Sequence, residues 1–320
     1  MSEMRNNRAD LIESFKVFRK DSNWWNYSYE TNLQHFDHFC CLTFPDSEQL
    51  TQEMVDLWAA PRSNEAIESC RSRLQVVITF IKYLRERSLT DIVPPALPAR
   101  QPHKYIPHAF SSVELSRFFT ACDQAVLDAA PGKDAMDALT TSVFFRLLYS
   151  SGIRTFEARL LKTDDSDLDN GVLNIRTSKG NRQYYVALDD DVCIMLRNYN
   201  NIASVHFPDR TYFFTVHDKV TIDAKNLRRR FFMIWNKVNT SHAVPYDFRH
   251  NYAISNINTW LDSGFQFHDK MLYLSKSMGH TRIESTQYYY ALTPYMATIV
   301  YDCSNDSFND IVPEVKQYEG

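Results

Sequence analysis

Glycine is scarce in this chain, with seven residues in 320, and neither G-x-G-x-x-G nor G-x-x-x-x-G-K-[ST] occurs among them. Such loops need glycine where backbone amides close around a phosphate, so no nucleotide cofactor is expected. The six cysteines (Cys40, Cys41, Cys70, Cys122, Cys193, Cys303) include no C-x-x-C pair and no Cys/His spacing of the zinc-finger kind. Reduced thiols are expected, and no metal site. No apolar run reaches the ~18 residues that suggest a membrane span. The opening MSEMRNNRADLIESF alternates charged and apolar residues where a signal peptide would be continuously apolar, and a cytoplasmic protein is expected. Excess positive charge is also missing. The formal net charge is −4 and the pI about 6.2, so any polyanionic partner would need a locally basic face.

Proline, in contrast, is concentrated. Five of the twelve prolines fall within Ile92 to Pro107, IVPPALPARQPHKYIP, where missing backbone donors forbid a continuous helix. The expected division is therefore a helical domain over residues 1–92, a linker over 93–107, and a second domain over 108–320 with an acidic, polar tail from Asp302. Ahead of the linker, helices are predicted over Ala9 to Lys20, Tyr29 to Cys41, Thr51 to Trp58 and Asn64 to Arg87. The last carries Ile67, Leu74, Ile78, Ile81 and Leu84 at helical spacing. Beyond the linker, Ser111 or Ser112 followed by Glu114 marks a helix start, and a long helical region follows to about Tyr149. Gly171 to Leu188 reads as a β-hairpin with Lys179 at its tip. From Ala224 onward the pattern is helical again.

Four separated segments carry the residue types of phosphate chemistry: SSGIRTFEARLLK (151–162), TSKGN (177–181), YDFRH (246–250) and MGHTRIESTQYYY (278–290). Each is commonplace alone; their order and spacing are not. Together they resemble the catalytic domain of the tyrosine recombinases, the phage-integrase family, over most of residues 105–295. LLYSSGIR with Glu157 matches that family's arginine-bearing helix end, and Lys179 matches its hairpin lysine. Tyr246 to His250 matches its H-x-x-R-H box imperfectly, and Met278, Gly279 and His280 match its (Leu/Met)-Gly-His box. The family's nucleophile follows that histidine by nine positions, which is Tyr289.

The resemblance implies a metal-free and cofactor-free strand transfer in which a tyrosine becomes joined to a DNA 3′ phosphate. Physical reasoning suits the residues to these roles. Arg154 and Arg249 would clamp non-bridging oxygens, because a guanidinium donates in a planar fork and stays charged. Their charge is expected to favour the phenolate of Tyr289. Glu157, one turn beyond Arg154, is placed either to orient it or to form an ordinary intrahelical pair. His280 would donate to the phosphate, and Lys179, as the resemblance implies, would protonate the departing 5′ oxygen. Tyr246 stands where the family has histidine and is a poorer proton shuttle, its ordinary pKa being near ~10. His250, next along the helix, is expected to be a buried structural residue facing elsewhere. Tyr288 and Tyr290 are expected to pack.

Candidate DNA contacts outside the chemistry are Arg71, Arg73 and Lys82 on the last helix of the first domain, and Lys225 and Arg228 on the amphipathic AKNLRRRFFMIWNKV. The expected fold is mainly α: an N-terminal all-helical core-binding (SAM-like) domain, then a mainly helical tyrosine-recombinase catalytic domain with a small antiparallel β-sheet. The implied partners are double-stranded DNA, further copies of the chain in a homotetramer, and accessory recombination factors; residues 291–302 are apolar enough to dock on a neighbouring copy or on their own domain. Two other readings share the motifs. One is a DNA-binding regulator with the same fold but no cleavage, and the other a type IB topoisomerase.

Overall fold

The computed structural model describes residues 7–22, 24–100, 107–178, 182–217, 220–260, 266–280 and 282–291. Lys179 and the segment 292–320 lie outside the described residues, as do the side chains of Tyr288 and Tyr290. The chain divides into two compact units, residues 1–104 and 105–320.

The first unit holds α1 (Arg8–Asp21), α2 (Tyr27–Thr43), α3 (Gln52–Ala59) and α4 (Ile67–Arg85). Short polar side chains set three of the starts: Asn7, Asn26 and Thr51 each accept a backbone N–H from the first turn. Phe15, Leu33, Phe36, Val55, Val77 and Ile81 are sequestered from water in one core. The proline-rich stretch behaves differently from a free linker. Ile92 is buried in that core and Leu97 packs against it, Val93 N–H donates to Gln52 Oε1 at 2.8 Å, and Arg71 donates to the Pro98 carbonyl. Apolar residues between the prolines thus fasten the segment to the first unit.

The second unit begins with α5 (Ser112–Leu127), whose start is a complete capping box between Ser111 and Glu114. The long helical region predicted next is two helices, because α6 (Lys133–Ser151) starts afresh after Gly132 at φ 96°. α6 is central and apolar on several sides: Phe144, Phe145, Leu147 and Leu148 are all buried. Around it lie α8 (Asp190–His206), α9 (Ala224–Val238) and α10 (Asp247–Asn258). Phe118, Phe231, Trp235 and Phe248 join its two phenylalanines in the core. After the short α7 (Thr155–Arg159), strands β1 (Ser166–Asp167), β2 (Val172–Ile175) and β3 (Tyr184–Ala187) form an antiparallel sheet in the order β1-β2-β3. β2 and β3 are the arms of the predicted hairpin, with Val172 opposite Ala187 and Ile175 opposite Tyr184. β4 (Thr215–His217) and β5 (Val220–Thr221) make a second, smaller pair. α11 (Gln266–Ser277) and α12 (Glu284–Ala291) follow, and with α10 they enclose a separate apolar cluster of Ala253, Ile257, Met271, Leu274, Met278 and Tyr289. Among the described residues no helix is long and apolar enough to cross a membrane.

Candidate active site

Two helix ends build the site. α6 stops at Gly152, whose φ of 63° is the left-handed conformation that ends helices. A Cβ there would also lie 2.3 Å from the ring of Tyr252, so Gly152 is required twice over. α11 stops in the same way at Gly279, φ 62°. Gly279 N–H donates to Lys276 O and His280 N–H to Ser275 O, both at 2.9 Å, which closes the two bonds of a Schellman motif. The glycines of S-G-I-R and M-G-H are therefore helix stops that deliver Arg154 and His280.

Arg249, on α10, ties the two stops together. Its Nη1 donates to Gly152 O at 2.6 Å and its Nη2 to Met278 O at 2.7 Å. It is 2% exposed. A helix C-terminus presents unpaired carbonyls and negative partial charge, and here two such ends hold one guanidinium in place. Arg154 caps the start of α7, and Glu157, three residues on, accepts its backbone N–H at 2.9 Å and its Nη1 at 2.6 Å. Glu157 is buried, so this pair is more than a surface salt bridge. Arg154 Nη2 reaches Gly279 O at 3.4 Å.

His280 Nε2 lies 2.9 Å from Arg249 Nη2. A guanidinium can only donate, so Nε2 accepts, and a neutral ring then carries its proton on Nδ1, 2.7 Å from Thr286 Oγ1. Burial, and then the charges of Arg249 and Arg154, hold the imidazole at about 3. His280 Nε2 is thus an acceptor toward Arg249.

Tyr289 is brought to the same place. It is 3% exposed, its ring lies parallel to that of His280 at 6.1 Å and 5.3 Å from that of His250. Burial raises its pKa, outweighing the Arg249 charge, the hydrogen bond to Arg249 and the Arg154 charge, which act in the opposite direction. The expected stabilisation of the phenolate is present but does not dominate; desolvation wins.

His250 is buried as expected, but it does not face elsewhere. Its ring stands between those of Tyr246, 4.9 Å away and perpendicular, and Tyr289. Reading α10 as a simple rotation of one residue missed this, because α12 wraps the same side of α10. Tyr246 itself is 42% exposed and lines a cleft of about 400 Å³ with Thr155, Ala224, Leu227, Arg228, Val244 and Pro245. Its hydroxyl is able to donate to a phosphate oxygen. Tyr246→His is expected to keep strand cleavage and Tyr246→Phe to lower it about tenfold, the scale of a lost hydrogen bond to a charged group. Equal single-turnover rates for wild type and Tyr246→Phe across neutral pH would assign the residue to packing.

Of the candidate DNA contacts, Lys82, Lys225 and Arg228 are exposed. Arg73 is not. It is 4% exposed, paired with Glu65 at 2.6 Å, and donates to the Trp58 carbonyl, so its guanidinium is part of the domain's interior and it is withdrawn as a DNA contact. It shares α4 with Arg71 and Lys82, but Glu65, just ahead of the helix, pairs with it. Arg71 is half-buried, with Glu68 at 4.0 Å in addition to its bond to Pro98. Tyr184, which sequence reading passed over as a strand residue, donates to Glu157 Oε2 at 2.6 Å.

The buried His250 and the half-buried His280 make acid stability a test of this geometry. Burial holds His250 at about 4 and His280 at about 3, against ~6.5 for an unfolded histidine. Below that value the unfolded chain takes up protons that the folded site refuses, so stability falls as pH drops. The thermal midpoint is expected to decline from pH 6.5 to 5, a window above the carboxylates' range. His250→Gln should flatten the slope by one proton's worth. An unchanged slope would mean that His250 is protonated in the folded protein.

A mainly helical domain whose helix stops assemble two arginines, a histidine and a tyrosine defines a candidate phosphodiester strand-transfer site. Residues 111–295 match the model of the "Phage integrase family", and the chain belongs to that family. Similar proteins include y4rB of Sinorhizobium fredii, 26% identical over 276 residues that cover 83% of this chain and 87% of the relative. Tyrosine recombinase XerC of Lactobacillus delbrueckii subsp. bulgaricus is 23% identical over 265 residues, covering 81% and 84%. The fold is shared with a lambda integrase tetramer bound to a Holliday junction, with a TM-score of 0.58 at 11% identity, covering 90% of this chain and 78% of the other. XerH recombinase bound to palindromic difH substrate gives 0.57 at 14% identity, covering 86% and 78%.

Proposed function

We propose that this site-specific tyrosine recombinase cleaves and rejoins double-stranded DNA with Tyr289 as its nucleophile. The observation that supports this best is the convergence of Tyr289, His280 and Arg249 in one cluster, with Arg249 also tied to Gly152, 97 residues away in the chain. The Tyr289 oxygen attacks the scissile phosphorus, a 3′-phosphotyrosyl bond forms, and the bond to the 5′ oxygen breaks. The phenol loses its proton to solvent, and the ammonium of Lys179 supplies one to the leaving 5′ oxygen, becoming the neutral amine until solvent returns the proton. Reversal by a free 5′ hydroxyl rejoins the strand with no input of ATP. Arg154 and Arg249 stabilise the charge that develops on the phosphate. A phosphate between Arg249 and His280 adds negative charge, which favours the imidazolium and turns Nε2 into a donor. Tyr246 contributes a hydrogen bond.

The enzyme acts in the cytoplasm as a homotetramer assembled on DNA, with accessory factors for its particular site, and residues 291–302 are suited to a contact between copies. A nicked DNA duplex carrying the cognate site, which traps the intermediate by losing the short strand beyond the nick, tests the reading directly. A covalent protein–DNA adduct is expected; none on a verified site would favour a regulator that only binds.

Binding should also be salt-dependent in spite of the acidic pI. Each phosphate neutralised on duplex DNA contributes about −0.9 to the slope of log K against log salt. Reversing Lys225 or Arg228 to glutamate is expected to reduce the slope by about one each, whereas Arg73 has no exposed charge to lose. A wild-type slope near zero would remove Lys82, Lys225 and Arg228 from the interface.

A further inference from the structure

Glu157 is the anchor of Arg154, and it has a third donor that the arginine does not supply. Its two oxygens receive Arg154 Nη1 at 2.6 Å, the Arg154 backbone N–H at 2.9 Å and Tyr184 Oη at 2.6 Å. The Glu157 side chain is wholly inaccessible to water, so these donors replace all of its hydration, and the loss of one leaves a buried charge under-satisfied. The Tyr184 ring does separate work. It covers Gly279 so closely that a Cβ there would stand 2.4 Å from Tyr184 Cε1, and the carbonyl of Gly279 is the second acceptor for the Arg154 guanidinium. One side chain therefore touches both groups that hold Arg154. Strand alternation explains why it is Tyr184 and not its neighbour: Tyr185 points to the opposite face and is 62% exposed.

We propose that Tyr184 is a positioning residue for strand cleavage, which fixes the guanidinium of Arg154 against the scissile phosphate through Glu157 and Gly279. The inference rests on the reading of Arg154 as a phosphate ligand. Tyr184 is not itself a nucleophile. Burial, and then the charge and hydrogen bond of Glu157, push its phenol well above the ordinary range, so it remains a proton donor to the carboxylate throughout the working pH range. Tyr184 follows Lys179 by five positions in sequence, so a defect at Tyr184 could act on either side of the reaction, through the arginine or through the lysine. The chemistry of the two differs, and modified substrates separate them. Sulfur in place of the 5′ bridging oxygen gives a leaving group that needs no proton, which relieves a fault in proton delivery. A methylphosphonate at the scissile position removes a non-bridging charge, which relieves a fault in the arginine clamp.

Single-turnover cleavage of nicked DNA by wild type, Tyr184→Phe, Arg154→Ala and Lys179→Ala tests the assignment. Tyr184→Phe keeps the ring over Gly279 and removes only the hydroxyl. Cleavage is expected to slow about tenfold with DNA affinity unchanged within twofold. Its deficit should persist on the sulfur substrate and shrink on the methylphosphonate, as that of Arg154→Ala does, while the sulfur substrate should rescue Lys179→Ala. Glu157→Gln provides a second variant: combined with Tyr184→Phe it should be no slower than the slower single variant, because both act through Arg154. The proposal is overturned if Tyr184→Phe cleaves within twofold of wild type, if sulfur erases its defect, or if the two losses multiply. No adduct with wild type would instead overturn the reading of the whole site.

Discussion

Tyr289→Phe is expected to abolish the covalent protein–DNA adduct while the protein folds and binds its site as before. The substitution removes one oxygen and keeps the ring that lies parallel to His280 and packs with Ala253, Ile257 and Met278. The loss should be complete within detection, because successive positions on any helix are rotated by about 100° and do not present their side chains in one direction. Burial shifts the pKa of the phenol upward, so desolvation works against the phenolate that attack requires. Mass spectrometry of the DNA-linked peptide from wild type decides the point. Attachment at Tyr288 or Tyr290, or an adduct formed by Tyr289→Phe, would refute the assignment.

Arg249→Ala is expected to lose both activity and stability, in contrast to an arginine that only meets substrate. Removal of a preorganised donor to a developing oxyanion lowers a rate by about 10²–10³, and a charged fork should reach at least the upper end of that range. The structural loss arises because Arg249 holds Gly152 O and Met278 O. Two carbonyls left buried without a partner destabilise by about 1–3 kcal/mol each. A lower thermal midpoint should therefore accompany the loss of cleavage, with affinity for the DNA site retained within several-fold, since many other contacts hold a duplex. Arg249→Lys keeps the charge but cannot reach both carbonyls in one plane, and it is expected to fall between. If Arg249→Ala cleaves within tenfold of wild type, the phosphate clamp does not include this residue. If it cleaves poorly at an unchanged midpoint, the tie between the two helix ends is not structural.

The chemistry-bearing residues were legible because spacing along one helix or after one stop is a local property. Gly-x-Arg and Gly-His mark helix ends, and the nine positions from His280 to Tyr289 are a count along the chain. Glu157 was legible as a neighbour of Arg154, but its complete burial was not, because the groups that cover it come from β3 and the end of α11. Arg73 was misread for the same reason: its helical position is exposed in a lone helix and closed over by Glu65 in the folded unit.

By itself, the sequence determined the helical character of both units, the break in the proline-rich stretch, the hairpin and the family, all of which follow from periodicity, turn chemistry and order along the chain. Only the tertiary structure decided which donors and acceptors the site's side chains meet. Arg249 spans two helix stops 97 and 29 residues away in sequence, Tyr184 closes over Gly279 and Glu157, and His250 stands beside Tyr289. Such partners are chosen by packing between distant segments, where direction and burial, absent from any local pattern, decide whether a charge is solvated, paired or aimed at a substrate.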